Sequence, residues 1–139
     1  MTTTALNLFA EFAVNETKES DGVWVDYGDH KFLIAMSGNR KYREKFLKLY
    51  KPHERLLNGK SKAAEAKSAE IMADVMSTTI LLNWTGKMIV EKDGAPVEYS
   101  VENARKALQN LPRFRALISE FSEDFKLFRA VEDEEDEKN

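Results

Sequence analysis

Residues 80–108, ILLNWTGKMIVEKDGAPVEYSVENARKAL, decide how this chain is read. They join two segments of helical periodicity through a run rich in turn-forming residues. Asp93-Gly94 is a tight-turn pair, and Pro96 fixes its own φ and holds the chain extended. Ser100 stands where its hydroxyl can accept a backbone N–H from the first turn of the next helix. Asn103 occupies the position at which a capping box prefers Glu or Gln, while Glu102 puts an acid in the same turn, where the helix dipole favours it. Trp84 and Tyr99 bracket the segment and are expected to pack its ends onto the helices. Trp84, Asp93, Gly94, Pro96, Tyr99 and Ser100 are therefore assigned to setting an interhelical angle rather than to chemistry.

Toward the C-terminus, Val101, Ala104, Leu108 and Leu111 recur at heptad-like spacing, and Pro112 resets the chain, since proline is favoured in a first helical turn. A last helix, 112 to about 129, then carries Phe114, Leu117, Ile118, Phe121, Phe125 and Phe128 as one aromatic stripe. Toward the N-terminus, a helix over 63–84 gathers Met72, Val75, Met76, Thr79 and Leu82 on one face, widened by Ile71 and Leu81, and stops at Gly86. From Asn39 onward, Tyr42, Phe46, Leu49, Tyr50, His53 and Leu56 fall three or four apart on one side. Pro52 predicts a kink or break in that helix, and residues 58–62 read as a loop. Before Asn39 the period drops to two: Val23, Val25 and Tyr27, then Phe32, Ile34 and Met36, flank Gly28-Asp29 as a two-residue hairpin. Residues 8–14 are ambiguous. Leu8, Ala10, Phe12 and Val14 alternate as a third strand would, whereas Phe9, Phe12 and Ala13 also make a helical face.

The expected fold is α+β and predominantly α: a small N-terminal β-hairpin or meander (1–38), then four to five short helices (39–130). The 139 residues suit one domain, 1–130, followed by the acidic run VEDEEDEKN (131–139), which has almost nothing to bury and is expected to be a disordered tail. There is no cysteine, so disulfide and thiolate–zinc scaffolds are excluded and a reducing compartment fits. The N-terminus lacks the basic start and the roughly 7–15 residue apolar run of a secretory signal, and no run approaches the ~20 apolar residues that span a bilayer. The expectation is a soluble protein of the bacterial cytoplasm with no membrane partner. Charge is segregated: residues 1–39 come to −4, 40–67 to +7, 68–130 to −1 and 131–139 to −5, which makes the net −3. The basic and acidic segments can attract each other within or between subunits.

Catalytic motifs fail on inspection. Gly59-Lys60-Ser61 resembles the end of a phosphate-binding loop, but Glu54 stands where the motif needs glycine and a helix precedes it instead of a strand. His30 and His53 have no orienting carboxylate or nucleophile at useful spacing, so no enzyme is expected. Carboxylates in the tail have no fixed geometry for a metal, and neither a metal nor any other cofactor is implied. The basic helix interleaves Tyr42, Phe46 and Tyr50 with Arg and Lys, yet those rings repeat as a buried face. A nucleic-acid partner is therefore not expected.

The run ILLNWTGKMIVEKDGAPVEYSVENARKALQNLP, preceded by VWVDYGDHKFLIAMSGNRKY and KPHERLLNGK, resembles the tail assembly chaperones of long-tailed bacteriophages. The likeness rests on Leu81, Leu82, Asn83 and Trp84, on Asp93, Gly94 and Pro96, on Tyr99, Ser100, Glu102, Asn103 and Ala104, and on Leu111-Pro112; Asn83 replaces an acid. It covers about residues 8–130. The resemblance implies a factor, absent from the mature virion, that coats the tape measure protein. Such a factor keeps its partner soluble and extended while tail tube subunits polymerise around it. It also implies a possible longer frameshifted product that reaches the tail tube protein. An apolar rod aggregates unless covered, and adaptable groups suit that task. Met72, Met76, Phe121, Phe125 and Phe128 are the candidate partner-binding residues, with Phe125 and Phe128 expected to remain available near the end of the last helix. The competing expectation is a self-associating structural or adaptor protein of the tail.

Overall fold

Gly28 opens the sheet. It takes φ 60° and, with Asp29 keeping a negative φ, links β1 (Val23–Tyr27) to β2 (His30–Ile34) in an antiparallel hairpin that pairs Tyr27 with His30. Positive φ at the first central residue alone is the type II′ pattern, whose twist matches that of the strands. At the other end of β1, Gly22 has φ 86°, and a Cβ there would lie 3.0 Å from the Ile34 carbonyl oxygen, so the chain can enter the sheet only through glycine.

The computed structural model describes residues 4–130. The remaining elements are α1 (Leu8–Phe12), α2 (Glu16–Asp21), α3 (Arg40–Tyr50), α4 (Glu54–Leu57), α5 (Lys62–Thr79), β3 (Leu81–Trp84), β4 (Lys87–Met88), β5 (Val97–Glu98), α6 (Val101–Asn110) and α7 (Pro112–Glu123), with 3-10 turns at Lys51–His53 and Phe125–Phe128. The fold is α+β and predominantly helical. The break at Pro52 falls where the sequence places it, and Pro112 starts α7. The expectation of a disordered tail concerns residues 131–139 and lies outside the described residues.

Three elements differ from the sequence reading. Residues 8–12 are helical: the Asn7 side chain accepts the Ala10 N–H at 3.0 Å and caps the helix, and Val14 adds only an isolated bridge to Arg129. The third strand of the sheet is instead β3, drawn from the end of the helix expected over 63–84. That helix stops at Thr79, and the sheet order is β1-β2-β3. Ile80-Leu81-Leu82 continues an apolar run that suits either a buried strand or a further helical turn, so periodicity alone does not decide it. The free edge of β2 does. Leu33 pairs with Asn83 and Ile34 with Leu81, which leaves Leu82 as a bulge. Lastly, the helix expected to run to about 129 ends at Glu123, and Asp124 turns the chain and caps a 3-10 turn through Lys126 N. That turn swings Phe128 into the centre of the protein.

The core draws Phe32 and Ile34 from β2, Leu81 and Trp84 from β3, Ala73 and Met76 from α5, Ala104 and Leu108 from α6, Ile118 from α7, and Phe128. Alanines at 73, 104 and 107 are all buried, so α5 and α6 approach closely. The two chain ends close on each other: Asn15 N–H donates to the Phe128 carbonyl at 2.9 Å and Ala130 N–H to the Ala13 carbonyl at 2.8 Å.

Asn39 holds the junction of sheet and helices. It is 1 % exposed, yet it uses both ends of its amide. Oδ1 accepts the Tyr42 N–H at 2.9 Å and so caps α3, while Nδ2 donates to the Met36 carbonyl at 2.8 Å and to the Thr79 carbonyl, at the end of α5, at 3.1 Å. A buried polar group left unpaired is costly, and here truncation would strand the Tyr42 N–H and the Thr79 carbonyl, while the Met36 carbonyl keeps the Asn39 backbone N–H at 3.3 Å. Asn39→Ala is expected to lower stability by about 2–4 kcal/mol, summing a lost cap and a stranded carbonyl. Urea denaturation checks this, and a loss below about 0.5 kcal/mol, the range of ordinary surface substitutions, would show that the junction does not depend on it.

Candidate functional site: an exposed apolar surface

The connection 80–108 begins as β3 and passes through a turn and the β4–β5 ribbon to the start of α6. Asp93, at φ 61°, makes the turn that Gly94 closes by donating its N–H to the Glu91 carbonyl at 3.0 Å. After Pro96 the chain runs extended as β5, pairing with β4. Ser100 Oγ accepts the Asn103 N–H at 3.0 Å, and the Asn103 amide reaches back to the Glu98 carbonyl, also at 3.0 Å. Glu102 pairs with Arg105, which holds its carboxyl below the usual range. Trp84, 4 % exposed, meets Tyr99 edge to face at 5.2 Å and 87°. The Tyr99 hydroxyl lies 2.8 Å from the Leu81 carbonyl and 3.2 Å from that of Ser77. Tyr99 thereby ties the connection to the point where α5 becomes β3.

The candidate partner-binding side chains are divided by burial. Phe128 is 0 % exposed and Met76 2 %. Their place is in the core, and Phe128 is not available near a helix end as the sequence suggested, because the 3-10 turn aims it inward. Met72 is half-buried and lines a small cavity of about 100 Å³ with Phe46, Tyr50, Leu57 and Ile71. Phe121 is half-buried against the core. Phe125, also half-buried, lies 6.2 Å from the ring of Phe12.

That contact leads to a run of exposed apolar side chains. Leu6, Leu8, Phe9 and Phe12 are 69 %, 62 %, 72 % and 64 % exposed. No residue of α1 is buried. The helix is anchored by its Asn7 cap and by the Arg129–Glu11 ion pair at 3.4 Å, and Phe125 extends the surface from the other end of the chain. Sequence reasoning missed these residues because their alternation also suits a strand. The signal that could have found them is Asn7 as a cap with Glu11 in the first turn. A second apolar feature is an open groove of about 460 Å³ between the hairpin and the β4–β5 ribbon. It is lined chiefly by Tyr27, Phe32, Met88, Ile89, Pro96 and Phe114.

The basic helix behaves as a rim over a core. Tyr42, Phe46 and Tyr50 form a stacked ladder with centroids 6.1 and 5.4 Å apart, and α3 packs on α5. Burial raises the pKa of Tyr42, with the Glu123 carboxylate adding to the effect. His30 is exposed at the hairpin and His53 is half-buried. Among the described residues, no group of three or more His, Asp or Glu is placed to hold a metal ion, and no helix is long and apolar enough to cross a membrane.

The sequence model of one family, described as YdaY prophage protein, matches residues 37–139. The chain belongs to the YdaY prophage protein family. It is thus a phage-derived protein. The YdaY match takes in α3 to the end of the chain, so it includes Phe125 and the connection 80–108 but not the hairpin or α1. No curated protein and no solved structure matches the chain.

Two outcomes follow from the placement of the rings. Phe128→Ala is expected to cost about 3–5 kcal/mol, as truncation of a buried aromatic does, whereas Phe9→Ser is expected to stay within about 0.5 kcal/mol; urea midpoints of the two variants check the contrast. Burial also raises the Tyr99 pKa. The folded state therefore favours the neutral phenol. Its contribution is intact below the unfolded tyrosine value near pH 10 and is lost as pH climbs through the higher folded pKa. Tyr99→Phe should lower stability at neutral pH by about 1–2 kcal/mol and flatten the alkaline decline, both read from denaturation midpoints against pH.

Proposed function

We propose that this prophage protein is a tail assembly chaperone that covers the apolar tape measure protein in the host cytoplasm while the tail tube is built, without bond-making chemistry. The observation that carries this reading is the exposure of Leu8, Phe9 and Phe12 on one short helix, with Leu6 just before its cap, beside Phe125. A cluster of this kind marks an interaction surface, since each ring left in water forgoes about 1.5–3 kcal/mol of burial. No residue of α1 is fully buried, and Leu8 and Phe9 keep most of their surface in water, where they can lie along a partner's apolar helix. The family's prophage origin and the resemblance of the connection 80–108 to tail chaperones support the same reading. A protein that binds such a rod in many copies keeps it dispersed by mass action.

A second reading, a self-assembling structural or adaptor protein of the tail, is favoured by the outer edge of the sheet. There β1 has one neighbour, and Trp24 and Tyr27 are 48 % and 56 % exposed. An open edge of this kind can add a strand from another copy.

Co-expression with the tape measure protein of the same prophage tests both. The wild-type chain is expected to keep the long protein soluble and to co-purify with it, and Phe9→Ser/Phe12→Ser is expected to lose both effects while remaining folded. Tape measure that stays insoluble beside the wild-type chain, together with recovery of the chain in purified particles, would replace the chaperone reading with the structural one.

A further inference from the structure

The free edge of β1 carries an unspent set of backbone groups. In an antiparallel pair, residues that exchange hydrogen bonds alternate with residues that do not, and the pair flanking a two-residue turn, here Tyr27 with His30, is of the bonded kind. Val25 with Phe32 and Val23 with Ile34 follow in step. The far side of β2 keeps the complementary phase: Lys31 N–H donates to the Thr85 hydroxyl at 2.9 Å, and Ala35 N–H to the Ile80 carbonyl at 2.8 Å. The N–H and C=O of Trp24 and Asp26 therefore point away from β2, and among the described residues nothing is hydrogen-bonded to them. On β3, at the other side of the sheet, such groups are taken up. Trp84 N–H donates to the Asn83 side chain at 2.9 Å, and the Leu81 carbonyl accepts from Tyr99.

We propose that β1 pairs antiparallel with β1 of a second copy, about a twofold axis through Val25, so that one sheet runs across a dimer. The register follows from charge and from the groups to be satisfied. Trp24 opposite the partner's Trp24 would leave Asp26 against Gly22, whose N–H already closes α2 on the Lys18 carbonyl at 3.1 Å. Asp26 opposite the partner's Asp26 would set like charges face to face, which is destabilising, and would leave Trp24 against the turn at Gly28. Trp24 opposite the partner's Asp26 pairs every outward N–H and C=O of both residues in both copies. It also keeps Asp26 beside its own Lys31 at 3.8 Å and lays Tyr27, 56 % exposed, across from the partner's Val23. Such a contact is isologous and uses up the edge on both copies. It closes as a dimer and does not propagate as a filament, so a structural role in the tail would need a further contact. The inference rests on the open edge that favours the second functional reading, and it does not require a place in the tail.

The chain has no cysteine, so single cysteines report the register. In a glutathione redox buffer the full chain carrying Val25→Cys is expected to form a disulfide-linked dimer, because a non-hydrogen-bonded pair on the axis has Cα atoms about 4.5 Å apart, within the reach of a disulfide. Asp26→Cys is expected to stay reduced, its two copies lying about 7–8 Å apart on the diagonal. Sedimentation equilibrium of the wild-type chain is expected to show monomer and dimer together at about 100 μM, since a small interface belongs to the weak class. Asp26→Pro removes an outward donor and leaves the β1–β2 ladder whole, so it is expected to give monomer alone with a nearly unchanged urea midpoint; if that variant unfolds, the cysteine pair decides. A wild-type chain that stays monomeric to about 1 mM, a dimer that survives Asp26→Pro, or a disulfide that forms as readily at 26 as at 25 would each overturn the proposal. Tape measure kept soluble by a monomeric chain would sink the dimer and leave the chaperone reading standing, whereas a dimer beside insoluble tape measure would do the reverse.

Discussion

The protein is organised around the end of α5, where a helix becomes a strand inside the core. A helix ends with carbonyls that have no partner in the next turn, and burying them unpaired would cost several kcal/mol. Several carbonyls at this junction are met by distant segments. The Thr79 carbonyl accepts from Asn39 and that of Ile80 from the backbone of Ala35, while the single Tyr99 O–H proton is shared between the Leu81 carbonyl, the nearer, and that of Ser77. The hairpin exit, the cap of α3 and the connection before α6 are therefore fixed in space by one set of buried acceptors. Thr79 adds its own hydroxyl, donated to Val75 at 2.7 Å, and β2 supplies the ladder that takes the chain onward.

That junction accounts for the surface as well. Because α5 stops at Thr79, β3 can complete a sheet whose inner face, Phe32 and Ile34, meets α5, α6 and α7. The core that results is filled by Trp84, Ile118 and Phe128, and the C-terminal turn that inserts Phe128 pairs with residues 13–15. The same closure puts α1 on the outside beside Phe125, with no core left for its rings to enter. An exposed apolar helix is thus a consequence of how the ends meet. Charge follows the same logic: the Tyr42–Phe46–Tyr50 ladder faces inward, which forces the cations of α3 outward.

Much of the connection 80–108 was legible because its signals are local. A turn pair, a proline and a capping serine act through neighbouring backbone; the turn centres on Lys92-Asp93, and Asp93 rather than Gly94 takes the positive φ. Tyr99 and Trp84 were legible as packing residues but not in their partners, since a carbonyl 18 residues away leaves no trace in periodicity. The candidate surface was read less well. A stripe of phenylalanine marks a face that avoids water without saying whether the core or a partner covers it. Phe128 went to the core through a 3-10 turn that no glycine or proline announces. Phe9 and Phe12 went to the surface on a helix whose alternating residues also suit a strand.

The sequence by itself determined the hairpin at Gly28-Asp29, the breaks at Pro52 and Pro112, the cap at Ser100 and the segregation of charge. In each case the cause lies within a few residues along the chain. Only the tertiary structure decided where α5 yields to β3, which rings are covered, and which helix is left bare. Those outcomes depend on an open strand edge, on buried carbonyls in need of donors and on the space left in a shared core, and such quantities exist only once distant segments have come together.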